Sequence, residues 1–208
     1  MAKPKIIIEH LEPKLSRWLY IEYRHVSTIV GKDGLVFTNV KDENAFKTLS
    51  SLGTVYKESI IELEDSFPDL IVLDPKALYP LKPHEIEENT AIIIGGILGD
   101  HPPKGRTWRL LTSKLKKARP RNIGKYQFSI DGAAYIAIKV AEGLNLSGIP
   151  ITVNLKIAIE EYPGIIHEIM LPYAYPLVNG KPLISKELLS YLRRGIVFDE
   201  LRELEALG

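Results

Sequence analysis

Four places in the 208-residue sequence bring together residue types capable of chemistry. Glu9-His10 closes the β-branched run KIIIEHL, and Asp74-Pro75 closes DLIVLDP. A third run, AIIIGGILGDHPPKGRT from Ala91, passes through Gly95, Gly96 and Gly99 into Asp100-His101 and two prolines. The fourth is RNIGKYQFSIDGAA, which carries Asp131-Gly132. Apolar runs this short read as buried strands. Glycines at a strand end suit close approach by a ligand or another backbone, and prolines stop regular structure from continuing. In an open α/β sheet, ligands sit beyond the carboxyl ends of strands, so convergence of these four ends defines a candidate binding site. A glycine-rich turn leading into a surface loop, with Asp131 as a helix cap, accounts for the same residues.

Several chemistries lack their signatures. GGILGD is not GxGxxG, and no Walker A lysine pattern or GxSxG elbow occurs. His10, His25, His84, His101 and His167 show no metal-ligand spacing, so no metal is expected. The absence of cysteine removes thiolate ligands, disulfides and a cysteine nucleophile.

The elements that must position the four ends are legible in outline. PKLSRWLYIEYRHVSTIVG has near-helical apolar spacing and a terminal Gly31; ENAFKTLSSL follows a capping Asp42 and stops at Gly53. GLVFTNV, DLIVLDP and TAIIIGG add three strands to the first. YQFSIDGAAYIAIKVAEG turns from an extended segment into a helix ending at Gly143. Strands alternating with helices predict an α/β fold: a mainly parallel sheet with helices on both faces. From residue 149 the pattern changes to extended segments, proline turns and a last helix near SKELLSYLRRG.

Bulk properties set the frame. The chain is 45% hydrophobic, enough for a sizeable core, and has no apolar run of membrane-spanning length. MAKPKIIIEH has no signal-peptide pattern, so a cytoplasmic protein is expected. Net charge is only +1, yet nine basic residues from Lys104 to Lys125 occur with no acidic residue between Asp100 and Asp131. Such a run reads either as a solvated helix face or as a field attracting RNA or a ribosomal surface. Many charges and few thermolabile side chains hint at a heat-adapted source.

Taken together, IIIEHLEPKLSRWLYIEY, GGILGDHPPKGRT, RNIGKYQFSIDGAA and LPYAYPLVNGKPLISKELLSYL resemble the SPOUT-class methyltransferases. The resemblance is to the group that modifies an arginine of a ribosomal protein, whose archaeal relatives are described as RNA methyltransferases. It implies S-adenosylmethionine as methyl donor, S-adenosylhomocysteine as product and a carboxyl-terminal trefoil knot. Residues 1–148 would form the knotted core and 149–208 an extension packed on it. Asp74 would rim the cofactor pocket. Gly95, Gly96, Ile97, Leu98, Gly99 and Asp100 would form the first cofactor loop. Ile123, Gly124, Gln127, Phe128, Ser129, Ile130 and Ala133 would form the second. Glu9, Asp100 and Asp131 are the carboxylates expected to orient an acceptor, and Arg106 the cation expected to pair with an anion of cofactor or substrate. The extension is expected to wall a substrate groove with Glu168, Tyr173 and Tyr175, and to make the chain a monomer rather than a homodimer through the knot. The eukaryotic pattern has Phe-Arg-Tyr where this chain has Tyr173-Ala174-Tyr175, which leaves the acceptor open between protein arginine and RNA. A non-catalytic, ribosome-binding knot protein is the remaining alternative.

Overall fold

The frame of the protein is a six-stranded, all-parallel sheet in the order β3-β2-β1-β5-β4-β6. Its strands are β1 (Lys5–His10), β2 (Leu35–Thr38), β3 (Thr54–Val55), β4 (Asp69–Leu73), β5 (Thr90–Gly96) and β6 (Arg119–Arg121). The computed structural model describes residues 3–99, 102–162 and 165–194. β1 and β5 run side by side with Ile6 beside Ile92 and Ile8 beside Ile94. Both strands are isoleucine-rich without polar alternation because each buries both faces, as a central parallel strand must.

The two faces are covered unequally. Ile6, Ile8, Ile92 and Ile94 meet α1 (Arg17–Val30), α2 (Glu43–Leu49) and α5 (Ile130–Ala141) in the larger core cluster. Ile7, Val72 and Ile93 meet Ile60 of the short α3 (Ile60–Leu63) and Leu111, just past α4 (Arg106–Leu110). Side-chain oxygens fix the helix starts: Ser16 accepts from Leu19 N at α1, and Asp42 from Ala45 N at α2. At α5 the cap is Ser129, which accepts from Gly132 N. Asp131, expected in that role, lies inside the first turn of the helix, where its Oδ1 also accepts from Gly132 N at 2.8 Å while its Oδ2 turns to His25.

The carboxyl-terminal part is an antiparallel hairpin, β7 (Ile151–Tyr162) and β8 (Ile165–Val178), followed by β9 (Lys181–Pro182) and α6 (Lys186–Arg194). It packs back on the sheet layer. Leu171, Tyr175, Leu188 and Leu192 join Ile21 of α1 in a third core cluster. Ala174 N donates to Gln127 O at 2.8 Å, and Phe128 and Ala174 form a parallel bridge. β8 is therefore hydrogen-bonded to the segment that enters α5.

The basic run is not a helix face. It contains α4, a 3-10 turn at Thr112–Lys114 and β6, whose sequence is Arg-Pro-Arg. Among the described residues, at least four of its nine cations have acidic partners brought from elsewhere in the chain. Arg106 pairs with Glu12, Lys117 with Asp65, Arg119 with Asp69 and Arg121 with Glu85. The concentrated positive field expected from the sequence is correspondingly reduced.

Candidate active site

A cleft of about 200 Å³ opens off the carboxyl ends of β4 and β5. Its walls bring together eleven of the residues singled out in the sequence: Asp74, Gly95, Ile97, Gly99, Arg106, Ile123, Gln127, Phe128, Ser129, Ile130 and Ala133. Asp74 shapes the rim. It is buried, and its carboxylate accepts from Lys76 N at 2.8 Å and from Thr112 Oγ1 at 2.6 Å, which turns the chain sharply after β4.

The first loop is held by a clamp that the sequence did not reveal. Glu12 accepts from Leu98 N at 3.0 Å and from Arg106 Nη1 at 3.2 Å, while Arg106 also donates to Leu98 O. Both polar groups around Leu98 are thereby fixed, and its side chain packs against the large core. Arg106, expected to meet a ligand anion, lines the cleft but spends two of its donors on this clamp.

The glycines of the loop serve different ends. A Cβ on Gly95 would contact Thr107 at 3.4 Å inside the cleft. One on Gly99 would strike the Gln127 side-chain amide and come within 2.7 Å of the Tyr173 ring. Gly96 is not part of the cleft: its Cβ would run into the Tyr23 hydroxyl and lie 2.9 Å from Glu9 O. Gly96 is thus a backbone-packing glycine between β1 and α1, not a ligand contact. Gly124 also lies outside the cleft, at φ 113° in a turn where its N–H donates to Asn122 Oδ1. Asp100 falls outside the described residues.

Glu9 does not face the cleft. It is buried, its Oε1 accepts from Ser59 Oγ and its Oε2 from Thr38 Oγ1, both at 2.5 Å, and Oε2 also accepts from Ile60 N at 3.0 Å. Burial nevertheless pushes its pKa up from the ordinary value. With three donors engaged at the start of α3, Glu9 ties β1, β2 and α3 together and is removed from the acceptor-orienting set.

Asp131 also lies outside the cleft lining, just behind it. Its Oδ2 is 2.7 Å from His25 Nδ1 across the α1–α5 contact. Beside it sits Glu22, which the sequence reading passed over. Glu22 accepts from Trp18 Nε1 at 2.7 Å and from Ile130 N at 3.0 Å. Burial, reinforced by the Asp131 charge, pushes the Glu22 carboxyl up to about 8. A signal for it existed: Trp18, Glu22 and His25, spaced four and three apart, form a polar stripe on one face of α1.

The extension reaches the same place. Tyr173 Oη donates to Gly99 O at 2.7 Å, so β8 touches the first loop as well as the second. Tyr175 is buried beside α1. Glu168 does not join them; it pairs with Lys156 on the exposed part of the hairpin. Among the described residues no three His, Asp or Glu side chains converge on a metal site, and no helix is long and apolar enough to cross a membrane.

A parallel α/β sheet with a glycine-walled cleft at its carboxyl edge, closed by the loop entering α5, is the arrangement of a SPOUT-class methyltransferase. Within that class the chain belongs to the protein arginine N-methyltransferase SFM1-like family, whose model matches residues 5–197. It is 26% identical to the protein arginine N-methyltransferase SFM1 of Saccharomyces cerevisiae over 213 residues, covering 91% of this chain and 94% of that protein. The fold is similar to that of the yeast arginine methyltransferase SFM1 complexed with SAM, with a TM-score of 0.81 at 24% identity, covering 93% and 91% of the two chains. A dual-specific Trm10 of Thermococcus kodakaraensis is similar with a TM-score of 0.54 at 20% identity, covering 69% of this chain and 95% of that one.

Proposed function

We propose that the protein transfers a methyl group from S-adenosylmethionine to an arginine side chain of a protein, a ribosomal protein being the expected acceptor. The observation that carries the proposal is the family match across residues 5–197. The cleft supports it: Gly95 leaves open the space that a Cβ would take, and Ile123, Phe128 and Ala133 offer apolar surface for a purine. When bound, the cofactor supplies an activated methyl on a sulfonium, so catalysis rests mainly on alignment. The chain's own part is to hold the first loop rigid through Glu12 and Arg106 and the second through the pairing of Gln127 with Ala174. A protein acceptor is favoured over RNA because Arg106, Lys117, Arg119 and Arg121 are engaged by carboxylates, which weakens the case for a phosphate-binding run. The extension covers α1 with its own apolar cluster, which favours a monomer.

The test is transfer of radiolabelled methyl to ribosomal proteins and to RNA of the same source, followed by separate protease and nuclease digestion. Protease-sensitive label recovered as methylarginine is the expected result. Label that resists protease and is released by nuclease would overturn the arginine reading.

A further inference from the structure

The carboxyl-terminal extension is fastened to both loops of the cleft by consecutive residues of β8. Ala174 N donates to Gln127 O at 2.8 Å, and Tyr173 Oη donates to Gly99 O at 2.7 Å. Two residues further on, Pro176 packs on the start of α5, where a Cβ on Gly132 would lie 3.1 Å from its Cδ. β8 thus backs the second loop along its length, and the Tyr173 side chain reaches the first. That first loop depends on outside support. Neither Leu98 nor Gly99 makes a backbone–backbone hydrogen bond among the described residues. Leu98 is held by the clamp of Glu12 and Arg106, and the next carbonyl, that of Gly99, by Tyr173.

Gly99 is also where the two walls of the cleft meet, since a Cβ there would fall on the Gln127 amide and against the Tyr173 ring. The cleft measures about 200 Å³, less than the roughly 300–1,000 Å³ usual for small-molecule sites. A cofactor with a nucleoside at one end and an amino acid at the other enters or leaves only when these walls part. We infer, resting on the S-adenosylmethionine reading above, that Tyr173 is a positioning residue for the cofactor. Through the Gly99 carbonyl it keeps the seam between the walls shut, so a side chain of the extension governs how long the cofactor stays.

The hydroxyl suits that task. A neutral hydrogen bond at a half-buried seam is strong enough to favour one loop position and weak enough to break at each release. The ring packs on the apolar cluster of Leu171 and Leu188, which fixes the direction of the hydroxyl independently of the loop it holds. Without the bond, the Gly99 end of the loop regains conformations that cofactor binding must then remove, at an entropic cost. Product release, a step that limits turnover in many enzymes, is thereby tied to the extension.

The test loads the full chain with tritiated S-adenosylhomocysteine, chases with excess unlabelled compound and follows release. Tyr173→Phe removes only the hydroxyl, Gln127→Ala loosens the same seam from the other wall, and Lys156→Ala breaks the exposed pair with Glu168 elsewhere in the extension. Tyr173→Phe should release the label about three- to tenfold faster, with association no slower than in the wild type and an unchanged urea midpoint. Deuterium exchange at the amides of Leu98 and Gly99 should quicken in the same variant, while Lys156→Ala matches the wild type in both measurements. A Tyr173 that only packs the extension would lower the urea midpoint and leave release alone. Unchanged release in folded Tyr173→Phe overturns the inference, as does equal acceleration by Lys156→Ala; should Tyr173→Phe not fold, Gln127→Ala decides by the same measure. A wild-type chain that binds no S-adenosylhomocysteine overturns the methyltransferase reading and this inference with it, whereas normal binding with unaltered release overturns this inference alone.

Discussion

Glu22 makes a prediction about folding that does not depend on any ligand. Its folded-state pKa is raised from 4.5 to about 8, so the folded protein holds this proton more tightly than the unfolded chain does. The stabilisation from that proton is complete below the unfolded value and is lost as pH rises through the folded one. Two other buried groups titrate in an overlapping range. Glu9, also raised, adds to the loss above 4.5. His10, held neutral by burial and so lowered from 6.5, works the other way up to that pH. From 6.5 to about 8 the Glu22 proton contributes 1.5 pH units at 1.36 kcal/mol each, a loss of about 2 kcal/mol, and Glu9, raised in the same direction, can only add to it. Urea unfolding at half-unit intervals from pH 6 to 9 reads this directly. Glu22→Gln, which cannot ionise and keeps one acceptor oxygen for Trp18 or Ile130, should reduce the slope of the profile in that window. Wild-type stability that stays level or rises between pH 6.5 and 8, or a variant that retains the same slope, would refute the assignment of the proton to Glu22.

Glu9→Ala strands the donors of Thr38, Ser59 and Ile60 and should cost about 3 kcal/mol in urea unfolding without changing S-adenosylhomocysteine affinity by calorimetry. Glu12→Ala, which frees Leu98 and Arg106, should weaken cofactor binding by about tenfold while moving the unfolding midpoint little. Gly99→Val should reduce cofactor affinity by at least about tenfold, because the branched side chain displaces Gln127 from the cleft wall and presses on the Tyr173 ring behind it. Sedimentation equilibrium should show a monomer across micromolar concentrations; a stable dimer would mean that the α1 face covered by the extension is not the surface that matters for association.

The central architecture could be read from the sequence because its signals are local. Four isoleucine- or valine-rich runs gave β1, β2, β4 and β5, and Asp42 and Gly31 marked ends of α2 and α1 as capping chemistry requires. β3 and β6 escaped because two residues carry no period, and Arg-Pro-Arg reads as charge rather than strand. The partial neutralisation of the cationic run was hidden because its partners, Asp65, Asp69 and Glu85, lie tens of residues away in sequence. The same separation hid the clamp, since Glu12 and Leu98 are brought together only by the pairing of β1 with β5. Glu9 and Asp131 stood at promising strand and helix ends, yet a side chain's direction is decided by tertiary contacts that position alone does not supply. Glu22 was missed for the opposite reason: a glutamate on an amphipathic helix ordinarily faces water, and here it faces inward.

The two borders of the sheet bear on how the protein behaves at high concentration. An open parallel sheet is vulnerable where its outermost strands expose unpaired peptide groups, because another chain can add there and continue the ladder. On one side the outermost strand, β3, is two residues long, too short to template an addition. On the other, Pro120 at the centre of β6 has no N–H to offer, and Arg119 and Arg121 flank it with charge. Self-association by strand addition is thus blocked at both borders. The isoleucine-rich strands most prone to stacking, β1 and β5, lie in the middle of the sheet, out of reach while the protein remains folded.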